Sequence, residues 1–376
     1  MSLKDIFCQD KAVEFLQRAY QADKCAHAYI FAGPEGVGKF TTARQWARLL
    51  LCAEPATEQK QQGAFADSCG SCESCELFEA DSHPDFHHVY KELIEFTRVG
   101  RGRAAPIDVP VAVIREFVIA KVSQRPTVSQ RKVFVVSEAE KLNAASQNAL
   151  LKVLEEPPQF CSIILLCTRM EGLLPTTKSR CQIIRFGPIA AEIIIESLRK
   201  TGLEPEKLRY FAHLAQGSLG LARQWAELES ADARLYATKK QLLDSLADYE
   251  LADALELADY CLQQSKAIAS VWQKLQAGAS KSDITRRAQQ TVLRIIISAL
   301  QDAMKINIAD NKKLVNIEQT DQVRKLAARL DVETAAEKIA EVGRAMAWVD
   351  SSVNERLIFE QLLLTLAGSD RIRVCQ

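Results

Sequence analysis

The sequence has no excess of charge of either sign. Its 376 residues include 48 lysines and arginines against 48 aspartates and glutamates. A neutral chain has no overall positive field that would draw it to nucleic acid or to an anionic membrane surface. Any contact with nucleic acid is therefore expected to be local, or to be shared with partner subunits.

Long apolar runs are also missing. No segment reaches the roughly 18 apolar residues of a membrane-spanning helix, and the start, MSLKDIFCQDKAVEF, lacks the basic and apolar zones of a signal peptide. We therefore expect a cytoplasmic protein. Eleven cysteines would indicate a disulfide scaffold in a short secreted chain, but here most are scattered along a long one. The scattered cysteines are expected to be free thiols.

Two kinds of pattern divide the chain. Up to about residue 187, short apolar runs rich in β-forming residues alternate with helical patterns, which predicts a parallel α/β sheet. From residue 188 onward, Leu, Ala, Glu, Lys and Gln recur at helical spacing, which predicts an all-helical remainder. Segments 54–68 and 96–110 hold no apolar period and are predicted to be loops. The predicted strands are AYIFA at 28–32, KVFVV at 132–136, SIILLC at 162–167 and QIIRF at 182–186.

A glycine-rich loop follows the first predicted strand. Gly33-Pro34-Glu35-Gly36-Val37-Gly38-Lys39 lies between that strand and a helical run, which is the context of a phosphate-binding loop. In such a loop backbone N–H groups surround phosphate oxygens, the following helix points its positive end at them, and the lysine adds a charge. Gly33, Gly36, Gly38 and Lys39 are therefore candidate contacts for ATP or ADP.

Two magnesium ligands are missing from this nucleotide site. The position after Lys39 needs a Ser or Thr hydroxyl but holds Phe40, and Thr41 is turned about 100° away along the helix. The strand KVFVV leads into Ser137 where an aspartate is expected. We therefore expect either nucleotide binding without efficient hydrolysis, or no nucleotide binding. Glu138 matches a water-activating acid, but without a metal it is better interpreted as a structural carboxylate.

A group of cysteines follows the phosphate-loop helix. Cys69, Cys72 and Cys75 stand at two-residue spacings, and Cys52 is the obvious fourth thiol. Four thiolates suit a closed, tetrahedral structural zinc site. Disulfides and an iron–sulfur cluster are the alternatives, and one of the histidines at 83, 87 and 88 is the alternative to Cys52.

The order of motifs along nearly the whole chain resembles the AAA+ subunits of bacterial sliding-clamp loaders. HAYIFAGPEGVGK, the cysteine group, HPDF at 83–86, KVFVVSEAEKLNAASQNALLKVLEEPP and LLPTTKSRCQIIRF follow each other in the family's order. The resemblance implies three domains: a P-loop domain with a zinc module over residues 1–187, a small helical lid over 188–232, and a helical collar over 233–376. It also implies partners, namely motor subunits of the gamma/tau type, a delta subunit, the sliding clamp and primed DNA.

The same resemblance assigns candidate roles to single residues. Arg180, in Ser179-Arg180-Cys181, is implied to act as an arginine finger on ATP held by an adjacent subunit. The plainer interpretation is an arginine that pairs with a carboxylate near a sheet edge. Thr168 matches a polar sensor position or, alternatively, caps a turn. Gly220 stands where active motor subunits carry an arginine.

The resemblance therefore implies a largely non-hydrolysing subunit that serves a neighbour's ATP site. One alternative is an ATP-hydrolysing motor subunit of the same loader, supported by the intact loop from Gly33 to Lys39 and by Glu138. The other is a zinc-bearing DNA-binding module, supported by the cysteine group and by the arginines at 98, 101 and 103.

Overall fold

The computed structural model describes residues 2–60, 63–100, 106–276, 280–308, 314–351 and 353–367. Within these ranges seven strands form two sheets. The strands are β1 (Ala28–Ala32), β2 (Ala56–Lys60), β3 (Gly63–Asp67), β4 (Phe86–Val89), β5 (Lys132–Val136), β6 (Cys161–Cys167) and β7 (Gln182–Arg185).

Five strands form a parallel sheet in the order β4-β5-β6-β1-β7. Every residue of β1, β5 and β6 is buried, as expected for a parallel sheet that is covered on both faces. Alternate residues enter two cores, so that Ile30 and Ile163 pack on one face and Phe31 and Ile164 on the other. The four strands predicted from the sequence and their parallel arrangement are confirmed.

Seven α-helices accompany these strands in the described part of residues 1–190. A π-helical turn, Arg115–Ile119, joins the fourth helix to the fifth. The helices are α1 (Asp10–Gln21), α2 (Lys39–Leu51), α3 (Glu73–Glu79), α4 (Val111–Ile114), α5 (Ala120–Val122), α6 (Ala144–Glu155) and α7 (Pro175–Lys178).

The ends of the helices near the candidate site follow local chemistry. The side chain of Asn143 caps α6 by accepting a hydrogen bond from the Ser146 amide at 2.9 Å. At the other end of α6, Pro157 and Pro158 follow within three residues of Glu155 and cannot continue the helix. Pro175 stands at the first position of α7, where its fixed φ suits a helix start.

The prediction of a loop at 54–68 is wrong. Residues 56–60 and 63–67 form the antiparallel strand pair β2–β3, in which Thr57 lies opposite Ala66. A side chain of α1 forms hydrogen bonds with the backbone of β3. The Gln17 amide donates to the Ala66 carbonyl at 2.7 Å and accepts from the Ala66 N–H at 2.8 Å. A side chain from a distant helix thus replaces a third strand. Segment 96–110 contains no strand in its described part, and Arg101 and Arg103 lie outside the described residues.

The described residues after Ala190 are helical, as predicted. The long helices of this part pack on one another along apolar stripes that include Ile296, Val342 and Leu363, all fully buried. The helices are α8 (Ala191–Leu198), α9 (Pro205–Leu214), α10 (Leu219–Ser230), α11 (Leu235–Ala247), α12 (Ala254–Leu275), α13 (Lys281–Asn307), α14 (Thr320–Arg329), α15 (Val332–Asp350) and α16 (Glu355–Ala367).

The chain divides into two compact units. The first comprises Met1–Ala190 with Gly217–Gly220, and the second comprises Ala191–Gln216 with Leu221–Gln376. The finer division into domains at 187/188 and 232/233 stays a prediction. Among the described residues, no helix is both long and apolar enough to cross a membrane.

Candidate functional site

The glycine-rich loop leaves the carboxyl end of β1, at the centre of the sheet, and enters α2. Gly38 has a φ of 98°, in the left-handed region that favours glycine, and is the N-cap of α2. Lys39 is buried and its Nζ donates to the carbonyls of Gly33 at 2.6 Å and Pro34 at 2.5 Å. Burial lowers the pKa of Lys39, while Glu140 and Glu35 oppose that shift. The predicted strand–loop–helix context is therefore present.

The expected magnesium position is built from aromatic and neutral groups. The Phe40 ring packs against the His88 imidazole with centroids 4.6 Å apart, and His88 Nε2 lies 2.8 Å from Ser137 Oγ. Burial lowers the pKa of His88 to about 4, so the ring is neutral near pH 7. Magnesium is held in such sites by hard, charged oxygens. A phenyl ring, a neutral imidazole and a hydroxyl do not fit that ion.

The acidic residues after β5 are engaged in local contacts. Glu138, at a φ of 51°, has its carboxylate 2.5 Å from Lys141 Nζ and 3.7 Å from Lys91 Nζ. These ion pairs support its interpretation as a structural carboxylate. The Glu140 carboxylate accepts from both the hydroxyl and the backbone N–H of Thr168, the latter at 3.2 Å. Thr168 thus stands at the end of β6, as predicted, but its hydroxyl is already bonded.

Gly220 lies directly against the phosphate loop. Its N–H donates to the Gly36 carbonyl at 2.9 Å. A Cβ built on Gly220 would lie 2.9 Å from Gly36 Cα, and one built on Gly36 would lie 2.2 Å from Ser218 Oγ. A side chain at Gly220 would require the Gly36 backbone to move, and one at Gly36, whose φ is 70°, would displace the Ser218 hydroxyl. At the position where the resemblance implies an arginine in motor subunits, this chain therefore has a close backbone contact with the phosphate loop.

Arg180 follows α7 at the surface of the first unit, with its side chain 34% exposed. Its Nη2 lies 2.7 Å from Glu155 Oε1, and its Nη1 donates to the Thr176 carbonyl at 3.0 Å. Within the chain the side chain therefore makes the carboxylate contact of the plainer interpretation. It is also partly accessible, as a group that serves another subunit must be.

The four cysteines meet in space. Cys52 follows α2, and the other three lie just before and within α3. Their sulfurs all lie within 4.8 Å of one another, and three of the separations are 3.5 Å (Cys52–Cys69), 3.9 Å (Cys52–Cys72) and 4.0 Å (Cys69–Cys75). A tetrahedron of zinc–sulfur bonds of about 2.3 Å has edges of about 3.8 Å, whereas a disulfide bond is about 2.05 Å long. The group is able to bind a metal ion such as zinc.

The three histidines that were alternatives to Cys52 have other partners. His83 Nε2 lies 2.9 Å from Ser74 Oγ and 3.2 Å from Ser129 Oγ. His87 stacks on Phe134 of the neighbouring strand, with ring centroids 4.8 Å apart. His88 contacts Ser137, as described above. Cys52 is thus the residue that completes the four-sulfur group.

The thiols differ in acidity before any metal is considered. Hydrogen bonds from the backbone, the Ser71 amide first among them, lower the pKa of Cys69 to about 6. Burial raises the pKa of Cys52 to about 12. Metal ligation requires all four thiols as thiolates, so binding would release protons.

Sequence reasoning missed several partners of the candidate residues. Glu155 contacts Arg180, which lies 25 positions further along the chain. Glu140 contacts Thr168 over 28 positions, and His88 contacts Phe40 over 48 positions. Only the paired acids of LEEPP, at the end of a helical pattern, were a visible signal, because acids are unusual where a helix ends.

Comparison with known proteins adds the family. A model described as "DNA polymerase III, delta subunit" matches residues 8–190, and one described as "DNA polymerase III, delta subunit, C terminal" matches 261–368. The delta' subunit of DNA polymerase III from Bacillus subtilis is 25% identical over 95% of this chain and 96% of its own length. The chain belongs to the DNA polymerase III delta-prime family. The predicted family is confirmed, as are the parallel α/β sheet and the helical C-terminal part.

Other relatives match over shorter stretches. The delta' subunit from Pseudomonas aeruginosa is 38% identical over 42% of this chain and 42% of its own length. The tau subunit from B. subtilis is 28% identical over 70% of this chain and 46% of its own length. The chain is thus similar to a tau subunit as well. The residues of the nucleotide site therefore have to distinguish a motor role from a non-motor role.

Proposed function

We propose that this delta-prime chain is a largely non-hydrolysing stator of the clamp loader that supplies Arg180 to the ATP site of a neighbouring subunit. Its own phosphate loop would hold ATP or ADP, if at all, without magnesium-dependent turnover. The four cysteines would hold a structural zinc ion. The partners would be gamma/tau-type motor subunits and a delta subunit, with the sliding clamp and primed DNA reached through the complex in the cytoplasm.

The packing of Phe40 against His88 supports the proposal that this chain does not itself hydrolyse ATP efficiently. In P-loop ATPases magnesium bridges the β- and γ-phosphates and neutralises developing charge, and its protein ligands are a hydroxyl and an aspartate. Here a phenyl ring and Ser137 take those positions, and Ser137 contacts a neutral imidazole 2.8 Å away. A site without hard, charged ligands loses the metal and with it most of the catalytic effect.

The chemistry of Arg180 supports the proposal that it acts at the ATP site of a neighbouring subunit. Guanidinium is permanently charged and planar, and its five N–H donors suit the oxygens of a transferring phosphoryl group. The side chain is partly exposed, at the end of a short surface helix. An arginine supplied to another subunit contributes a factor of about 10³ to 10⁵ in turnover at the site it completes.

A motor subunit of the gamma/tau type is the second candidate. The strand–loop–helix geometry at Gly33 to Lys39 and the similarity to a tau subunit favour it. Metal-dependent ATP turnover by the isolated chain would support this candidate. The groups around Phe40 and the contact between Gly36 and Gly220 argue against it.

Steady-state ATP hydrolysis by the reconstituted loader on primed DNA tests the proposal. We expect Arg180→Ala to lower turnover about 10³-fold at the neighbouring ATP site that Arg180 completes. The total rate of ATP hydrolysis should therefore fall by at least the contribution of that one site. Arg18→Ala is the control, because Arg18 is also an exposed arginine in an ion pair, with Glu14. Assembly of each variant is checked by light scattering. Turnover by the isolated chain, or an unchanged rate with Arg180→Ala, would refute the stator proposal.

A further inference from the structure

The Arg180 side chain is held at two points. Nη1 donates to the Thr176 carbonyl of α7 at 3.0 Å and lies 3.4 Å from Ser179 Oγ. Nη2 pairs with Glu155 Oε1 at 2.7 Å. Two anchors on different nitrogens restrict both the direction and the plane of a guanidinium, which a single contact does not. Because five N–H donors are available, the anchors leave donors for a phosphate group.

Glu155 stands where a carboxylate is unfavourable on local grounds. It is the last residue of α6, and Glu156 follows it at the C-cap. The carboxyl end of a helix carries partial negative charge, so acids there reduce helix stability. A locally unfavourable residue that persists in a fold indicates a compensating contact elsewhere. For Glu155 that contact is Arg180, which lies 25 positions further along the chain.

The two elements that carry these anchors are fixed to each other. The buried side chain of Gln147, on α6, accepts from the Leu174 N–H at 2.8 Å and donates to the Gly172 carbonyl at 2.9 Å. Thr177 of α7 is fully buried, and its hydroxyl lies 3.4 Å from Gln147 Oε1. Since α7 cannot move freely against α6, Glu155 presents its carboxylate at a defined place relative to Arg180.

We propose that Glu155 is a positioning residue for Arg180, which holds the guanidinium in one orientation before a neighbouring subunit binds. The inference rests on the proposed role of Arg180 in trans. A long side chain that is already ordered loses less conformational entropy when it meets its target. Removing the Glu155 charge should therefore reduce the effect of Arg180 without removing it.

The test compares Glu155→Gln with Glu156→Gln in the reconstituted loader on primed DNA. Both variants remove one carboxylate from the end of α6 and nearly preserve its size, but only Glu155 pairs with Arg180. We expect Glu155→Gln to lower kcat by about three- to five-fold, with KM for ATP unchanged, since a partly exposed ion pair has a modest strength. Glu156→Gln should match the wild type. Glu155→Asp should recover part of the loss.

A double variant separates positioning from general damage. In the Arg180→Ala background, Glu155→Gln should cause no further loss, because Glu155 acts only through Arg180. In the isolated chain, the NMR signal of the Arg180 side-chain Nε–Hε group should shift and sharpen with Glu155→Gln and stay unchanged with Glu156→Gln.

The possible failures are distinguishable. If Arg180→Ala lowers turnover but Glu155→Gln behaves like Glu156→Gln, the positioning role is overturned and the proposed function stands. A rise in turnover with Glu155→Gln, or an equal loss in the Arg180→Ala background, would also overturn the positioning role. If Arg180→Ala itself has no effect, the proposed function and this inference fail together.

Discussion

At the scale of single residues, the contact between Gly36 and Gly220 joins the phosphate loop to a position where the chain differs from the pattern implied for motor subunits. Gly36 belongs to the phosphate loop, and Gly220 replaces the arginine implied for motor subunits. Their backbones meet through a 2.9 Å hydrogen bond with no space for a Cβ on either residue. Restoring an arginine at 220 would therefore displace the loop that it is meant to serve.

This contact predicts a sharp difference between two glycine substitutions. Gly220→Ala should destabilise the first unit by about 1 to 3 kcal/mol, because the new methyl group would lie 2.9 Å from Gly36 Cα. Gly187→Ala is the matched control, since a Cβ there meets no atom within 4 Å. Hydrogen exchange of the amides at Val37 to Phe40, together with thermal melting, measures the effect. Equal behaviour of the two variants would contradict the close packing.

At the scale of elements, the cysteine group joins three short pieces of chain. These are the end of α2, the strand pair β2–β3 and α3. Buried polar contacts hold the same region, because Ser74 and Ser129 both donate to the Leu51 carbonyl, at 2.7 Å and 2.8 Å. Small modules of this kind depend on metal for local order.

We therefore predict one zinc ion per chain and local unfolding when it is removed. Cys72→Ser, or treatment with a chelator, should raise hydrogen exchange in residues 52–79, while the sheet strands β1, β5 and β6 stay protected by the core on the sheet face that holds Ile30 and Ile163, to which residues 52–79 contribute nothing. Cys8→Ser is the control, because Cys8 lies outside the group. Elemental analysis gives the metal content. A brown, iron-containing protein, or full zinc content in Cys72→Ser, would disprove the assignment.

At the scale of the whole molecule, the zero net charge limits how strongly the isolated chain can bind DNA. Equal numbers of basic and acidic residues give no long-range attraction to a polyanion. The acids and bases also pair extensively on the surface, as Lys207 does with Glu204 and Glu229. DNA contact is therefore expected to need the other subunits.

Fluorescence anisotropy with primed DNA tests this expectation on the isolated chain. The dissociation constant should be no lower than the about 10⁻⁴ to 10⁻⁶ M of non-specific complexes. Because a neutral chain neutralises few phosphates, the constant should change far less between about 50 and 200 mM salt than the about 10³- to 10⁵-fold expected for six to ten phosphate contacts. Arg98→Ala, which removes one arginine from segment 96–110, should leave the dissociation constant for primed DNA unchanged. Tight binding that weakens steeply with salt would instead support a DNA-binding module.

The fold and the loss of metal ligands were predictable from the sequence because their signals are local. Continuous apolar runs predicted β1, β5, β6 and β7, and the substitutions at Phe40 and Ser137 were visible beside recognisable strands. The short strand β4 was missed because its residues include His87 and His88, which enter the interior through stacking on neighbouring rings. That contact does not show in a hydropathy pattern.

The sequence by itself determined most of the element types, the phosphate loop and the spacing of three cysteines, since each depends on residues close together in the chain. It also determined the family, through the order of such local motifs. Only the tertiary structure decided that Cys52 joins the other three sulfurs, that Gly220 touches Gly36, and that Glu155 holds Arg180. These contacts join residues 17 to 184 positions apart. Which distant side chains meet depends on how the strands are ordered and how the helices pack, and no local pattern encodes that.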